Sequence, residues 1–558
     1  MNRATLTASQ DVVTQIRGNN VSINAGRNLN ISTANESASA RDQHQHSSSG
    51  ILSGSTIQTD DASSYSRQIG STFSGNTTVL STGRDANIIG SDVVSTQGTQ
   101  VTAGNDINII AATDTSSESH YRKETTSGIF SGGGLGVTVG SKMQSTDFTR
   151  NSTTASASTV GATNGNVLLA AGNHYTQVAS NVISPQGDLS IIAKQIDILA
   201  GINTEQNTQE TQFKQQGVTL QITNPVISAI QSAMSLQESK GKTKNGRAKM
   251  LADAATALTL GNAAAQVAGS AAPAGGIDLA ISIGSSSNES KTVQSSTTTA
   301  ASTVASGGTT TIAATGAGKD SNLTITGSEV TGKNINLIAD NQINLLAQRN
   351  TNEEHSTNKG SSASVGISIG TSGLMLNASA SGSRGKGDGN DSDYSNTHVT
   401  AGNQLSMSSG GDMTLKGAVA AGQQVIASVG GNLNIESLQD ASYYKSQQQS
   451  LGGSVSVGLG KGFSGSISAS QSKVDGNYQS VIEQSAISAG DGGFQINVGG
   501  NTDLKGAKIA STDKAVEEGK NQFQTASLTM SDIQNKSEYK AESQSVSAGG
   551  GYGGVIPR

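Results

Sequence analysis

Aliphatic residues along this chain come in alternating pairs, and the pairs recur at a fixed distance. Leu405 and Met407 are followed eight residues later by Met413 and Leu415, twelve further on by Val425 and Ala427, and eight further by Leu433 and Ile435. Residues two apart share one side of a strand. The steps of eight and twelve bring each pair back to the same place after 20 residues. Leu405 is therefore predicted to lie over Val425, Met407 over Ala427, Met413 over Leu433 and Leu415 over Ile435. Leu323 and Ile325, Ile335 and Leu337, and Ile343 and Leu345 repeat the arithmetic, while Ile88 and Ile109 stand 21 apart, one residue out of step. Val21 with Leu29 and Ile496 with Leu504 repeat the eight-residue step. The helical spacing i, i+3, i+4, i+7 is missing from these stretches.

One phrase marks the corners: GRNLNI (Gly26 to Ile31), GRDANI (Gly83 to Ile88), GNDINI (Gly104 to Ile109), GKNINL (Gly332 to Leu337), GGDMTL (Gly410 to Leu415) and GGNLNI (Gly430 to Ile435). Gly, Asn and Asp tolerate the positive φ of tight turns between short strands. A unit of 20 residues buries no apolar face by itself and must stack on its own copies. The fold class predicted is all-β: a right-handed parallel β-helix, each coil adding about 4.8 Å to a rod. With half to two-thirds of the residues in coils, about 14–18 coils and a rod on the order of 70–85 Å are expected.

Polar, Ser/Thr/Gln-rich segments interrupt the coils, and each carries an alternating Gly/Ser stretch: LGVTVG at Leu135, VGISIG at Val365 and VSVGLGKGFSGSISAS at Val455. The last reads as a hairpin turning near Gly462. Such lateral hairpins are predicted to lie along the rod or to pair with the next interruption. One interruption has a different pattern. From Asn224 to Gly269 it becomes helical, opening with Pro225 and placing Val226, Ile230, Ala233 and Met234 on one face. A second Ala-rich helix covers Met250 to Ala268 after the basic turn Lys240 to Lys249. This short helical insertion lacks Trp and Phe on its apolar face, which favours packing against the rod over lipid binding.

Composition narrows the function. Among 558 residues there are no cysteines and no tryptophans, 3% are aromatic and 14% charged, and the net charge is −6. Aromatics fill compact cores, whereas a narrow coil has room only for stacked Ile, Leu, Val and Ala. With no basic run, a phosphate-tracking nucleic-acid site is not expected. Without cysteine there is neither a disulfide framework nor a thiol nucleophile. That suits passage of an unfolded chain through an oxidising periplasm. No apolar run opens the chain as a signal peptide would, and no stretch is long enough for a membrane-spanning helix. Both ends look cut, as expected of a piece of something longer.

The GGNLNI-type phrases, alternating with SVSVGLG…GSISAS excursions, resemble the hemagglutinin-repeat region of filamentous hemagglutinins and of contact-dependent growth-inhibition toxins. The likeness covers nearly the whole chain. It implies residues 1–223 and 271–558 as β-helix hemagglutinin repeats with hairpin excursions, the second block truncated at its C-terminus, around the insertion at 224–270. It further implies a secreted, surface-displayed protein of a Gram-negative bacterium, exported by an outer-membrane two-partner secretion transporter. The segment would act as a structural stalk, serving adhesion or the presentation and delivery of a C-terminal toxin. A target-cell receptor or glycan would be the partner. In the toxin members this repeat block is thought to help carry the toxin across the target outer membrane.

Candidate chemistry is sparse. His44 and His46 sit on one strand face but in a Gln- and Ser-rich setting, so a metal role is not expected. GKGFSG (Gly460 to Gly465) matches a dinucleotide fingerprint without the helix or the acidic residue that the motif needs, and reads as a hairpin turn. GDGNDSD (Gly387 to Asp393) lacks the Glu that closes a calcium loop and reads as a flexible polar tip. A polysaccharide-degrading β-helix enzyme is the serious alternative, but it needs clustered acids and stacking aromatics. A passive fibre is the other. The reading is a non-enzyme with no catalytic, cofactor-binding or metal residues and no cofactor.

Overall fold

The computed structural model describes residues 3–10, 14–131, 136–223, 278–370, 373–458 and 462–552. The expected helical insertion at 224–270 lies outside the described residues. The described chain is almost entirely β, in two parallel sheets of 15 and 11 strands and one antiparallel sheet of 12. The predicted stacking is present: Leu405 pairs with Val425 and Met407 with Ala427 in parallel register, as do Met413 with Leu433 and Leu415 with Ile435. Leu323 likewise pairs with Ile343 and Ile88 with Ile109. The arrangement is consistent with a parallel β-helix.

Each coil has three faces. Thr397–Ser409 and Ala418–Val429 each run through a bend, pairing first over 397–401 with 418–422 and then, after a register shift, over 404–409 with 424–429. The third face is the short strand Met413–Lys416 on Leu433–Glu436. Because the bent strands Asp92–Ala103 and Glu329–Ala339 each serve two faces, the pairings between them close into an eight-membered ring. It consists of two ladders joined at both ends. Inside the faces, the aliphatic residues of successive coils form one continuous core, with Ile335, Leu337, Leu405 and Leu433 wholly buried. Among the described residues the third face has eleven rungs, fewer than the 14–18 coils expected, which makes the described rod about 50 Å long. The excursions consume more of the chain than was allotted to them.

The excursions do pair with one another. Hairpins Ala34–Ser49/Ser53–Ile69, Ala112–Ser131/Gly136–Ser156, Gly201–Thr223/Asp278–Ala300, Gln348–Gly370/Gly373–Ser395 and Asp440–Gly458/Gly462–Ser480 join edge to edge. With Arg3–Gln10 and Lys536–Tyr552 at its margins, this is the 12-stranded sheet. Every hairpin leaves after a third-face strand and returns at the start of a first-face strand. Coils with a hairpin alternate with coils without one. One hairpin brings two strands, each about 4.8 Å wide, and two coils rise by the same amount. The flank sheet and the rod therefore grow in step, and the structural unit is two coils plus a hairpin. Its successive starts Ser302, Thr397 and Ser485 stand 95 and 88 residues apart.

A file of buried hydroxyls runs along the corner where the hairpins attach. The amide of Ser71 donates to Ser91 Oγ, that of Ser91 to Ser158, Ser158 to Ser180, Ser180 to Ser302, Ser302 to Ser328 and Ser328 to Thr397, at 3.2–3.4 Å. From Ser91 to Thr397, each hydroxyl in turn donates to the carbonyl that ends the preceding third-face strand. Ser180 reaches Val178, two residues back, and Ser302 reaches Leu199 across the whole excursion. The same bond thus closes the corner whether a hairpin intervenes or not. At Ala418 the file lacks a hydroxyl, and the Thr397 amide bonds the Gly417 carbonyl instead.

Corners without a hairpin turn through one residue of positive φ: Gly90 (53°), Gly327 (55°), Gly417 (63°) and Gly506 (56°). The corner at Ala179 is the exception, an alanine held at φ 46°. The left-handed region costs a residue with Cβ about 1–2 kcal/mol, partly offset by the greater entropy that glycine loses on folding. Ala179→Gly is expected to raise stability by about 0.5–1 kcal/mol, read as a higher denaturant midpoint with unchanged slope. A lower midpoint would contradict this account of the corner.

Candidate interaction surface

The flank sheet is polar near the rod and apolar toward its hairpin turns. Near the rod, hydroxyls face one another across strands, as in Thr153–Thr204 at 2.7 Å and Thr297–Thr351 at 2.9 Å. Such cross-strand pairs are the unit of sheet stabilisation. Toward the turns, register brings the alternating stretches into rows perpendicular to the strands. One row runs from Val137 through Leu220, Ile281, Ile367, Leu376 and Val457 to Phe463. A parallel row joins Val139, Val218, Ile283 and Val365. Alternation places both rows on one face, and these side chains are 40–65% exposed. The opposite face carries small polar groups such as Thr138 and Thr219, whose hydroxyls meet at 2.9 Å. Sequence reasoning recognised the alternating stretches singly but missed their alignment. The available signal was their common distance from each hairpin turn.

The residues weighed for chemistry are dispersed over this scaffold. His44 and His46 lie on the strand Ala34–Ser49, with His44 2.7 Å from Asp42. His120 meets Asp61 at 2.9 Å, His174 meets Asp197 at 2.8 Å, and His398 meets Glu483 at 2.9 Å. GDGNDSD is not a flexible tip. It lies within the strand Gly373–Ser395, where Asp388 bonds His355 and Asp393 accepts from Asn350 at 2.8 Å. Pairing with neighbours on both sides imposes strand geometry that its Gly/Asp composition does not suggest. GKGFSG begins outside the described residues, and its Gly462 pairs with Gly458 in the antiparallel hairpin. The basic stretch Lys240 to Lys249 also lies outside them. Among the described residues, no group of three or more His, Cys, Asp or Glu is placed to hold a metal ion. Nor is any helix among them long and apolar enough to cross a membrane.

Opposite charges pair across neighbouring strands of both the flank sheet and the coils. The Arg41 guanidinium holds the Asp60 carboxyl down to about 2 through bonds of 2.8 and 2.6 Å. Burial opposes ionisation of Glu436, yet hydrogen bonds from Lys505 and Lys416 on the coils to either side keep its pKa below the usual range. These pairs are largely solvated and add little stability each. The hydrogen bond to Asp197 raises the pKa of His174 against a smaller opposing effect of burial. A raised folded-state pKa gives stability that is fully present below about pH 6.5 and lost as pH rises through the folded value. Denaturant midpoints at pH 5.5 and pH 8.5 should therefore differ more for the wild type than for His174→Gln. Equal pH dependence in the two would refute the assignment.

What the described residues offer is a long regular scaffold with an apolar margin. Comparison with known proteins identifies the repeat. The family model for the hemagglutinin repeat matches residues 2–125, 52–160, 135–282, 281–451 and 444–548. The chain is 34% identical over 550 residues to the 16S rRNA endonuclease CdiA of Enterobacter cloacae subsp. cloacae, covering 96% of this chain and 16% of that protein. It is 34% identical over 551 residues to a tRNA nuclease CdiA of Escherichia coli, covering 95% and 17%. It is 36% identical over 539 residues to the tRNA nuclease CdiA-2 of Burkholderia pseudomallei, again covering 95% and 17%. The chain thus spans about a sixth of the length of these relatives. Stacked coils with laterally paired hairpins are the form the repeat takes here, and the chain belongs to the hemagglutinin-repeat family shared with the contact-dependent growth-inhibition toxins.

Proposed function

We propose that this chain is a stalk segment of a secreted, surface-displayed filamentous hemagglutinin-like protein that presents a C-terminal toxin to a contacted cell. The observation that carries the reading is the unbroken register of coils and hairpins, in which rod and flank sheet advance together. Backbone hydrogen bonds along two surfaces stiffen such a rod more than a single solenoid would be stiffened. Its hand is right-handed, as parallel crossovers prefer. Residues 1–223 and 271–558 are the repeat blocks, on either side of an insertion at 224–270. The segment carries no catalytic, cofactor or metal residues and binds no nucleic acid. Export uses an outer-membrane two-partner secretion transporter of a Gram-negative cell, and the target is met through a surface receptor or glycan. Adhesion is the second use of the same stalk, favoured by the family's hemagglutinins.

The experiment deletes residues 14–531 from the full-length protein in its producing cell. The filament should shorten by about 50 Å while export continues, and growth inhibition of contacted cells should be lost. Unchanged inhibition and unchanged cell binding together would contradict the stalk reading.

A further inference from the structure

The apolar margin of the flank sheet has no partner among the described residues, and its size asks for one. Its half-exposed Val, Ile, Leu and Phe side chains present on the order of 1,000 Å² of apolar surface, about twice the largest patch on a typical monomer. No charged residue interrupts the row from Val137 to Phe463. Charge depletion of this kind marks the buried centre of interfaces rather than ordinary surface.

We propose that this margin is the interface between two copies of the chain, packed sheet on sheet with their aliphatic rows interleaved. Two such faces bury about 2,000 Å² together, the range of stable homodimers. Branched side chains standing in rows on a pleated surface are what aligned sheet packing uses, with the sheets about 10 Å apart. A bilayer fits the same surface poorly. On the strand Asp278–Ala300 the apolar positions run only from Leu279 to Ile283, about 13 Å, against about 30 Å of hydrocarbon. An open sheet also leaves unpaired edge groups that lipid cannot satisfy. The twofold contact joins rods side by side and doubles the stalk.

The test is sedimentation velocity of the full chain at micromolar concentration, with three proteins compared. The wild type should sediment as a dimer. Ile281→Lys, at the centre of the row beside Ile367, should weaken association at least tenfold with an unchanged far-ultraviolet spectrum. Ser379→Lys, on the opposite face, should leave the dimer intact. A wild-type monomer overturns the proposal. If that monomer floats with phosphatidylcholine vesicles, the surface belongs to lipid. If it neither floats nor binds a hydrophobic dye, the surface is covered within the same chain. An Ile281→Lys protein that stays dimeric overturns the proposal as well.

Discussion

Leu433→Asp is expected to unravel the coils on either side of it. Leu433 lies between Met413 and Thr502 in register and is wholly buried. A carboxylate there has no cation to meet and no water, so the substitution should cost upwards of about 4 kcal/mol. In a solenoid each repeat contacts only its neighbours, so the damage stays local. Trypsin should then cut after Lys416, on the adjacent rung, in the variant and not in the wild type. Leu433→Ala is expected to lose about 2–5 kcal/mol while keeping more of the resistance. Wild-type resistance in Leu433→Asp would mean that this residue does not face the interior.

The second large effect belongs to the hydroxyl file. Ser302→Ala removes the acceptor for the Ser180 amide and the donor that ties the end of the longest excursion to the Leu199 carbonyl. The Leu199 oxygen keeps the Ala179 amide, so the main cost is one buried N–H left unpaired, about 1–3 kcal/mol. Ser302→Thr should be nearly neutral, because Thr397 fills the equivalent position. Hydrogen exchange should locate the loss, with faster exchange at Ser180 in the alanine variant. Equal protection of Ser180 in wild type and Ser302→Ala would remove the hydroxyl file from the account.

The contrast between what was legible and what was not follows the size of the side chains. Stacked Leu, Ile and Met from Leu405 to Ile435 reveal their register because large aliphatic residues have nowhere else to go. The first face of the coil escapes notice because it is built from small residues, Ala418 and Ala420 in one coil. In other coils a hairpin separates it from the preceding face. The serines of the file read as loop residues, since a buried hydroxyl is recognisable only once its partners on the next coil are in place. The phrase Ser-x-Val at Ser91, Ser158, Ser180, Ser302 and Ser328 is the signal that was there to be read. GDGNDSD misled for the opposite reason: its composition favours a loop, and pairing on both sides overrides it. The apolar margin depends on long-range register between hairpins, which no local pattern carries.

The absence of cysteine allows the central claim to be tested directly. Thr414 and Asn434 are partners on adjacent rungs, about 4.8 Å apart, within reach of a disulfide. Thr414→Cys with Asn434→Cys should oxidise to a single intramolecular bond. Thr414→Cys with Gln424→Cys, at half the separation along the chain but on another face, should stay reduced. Preferential closure of the second pair would contradict the 20-residue coil.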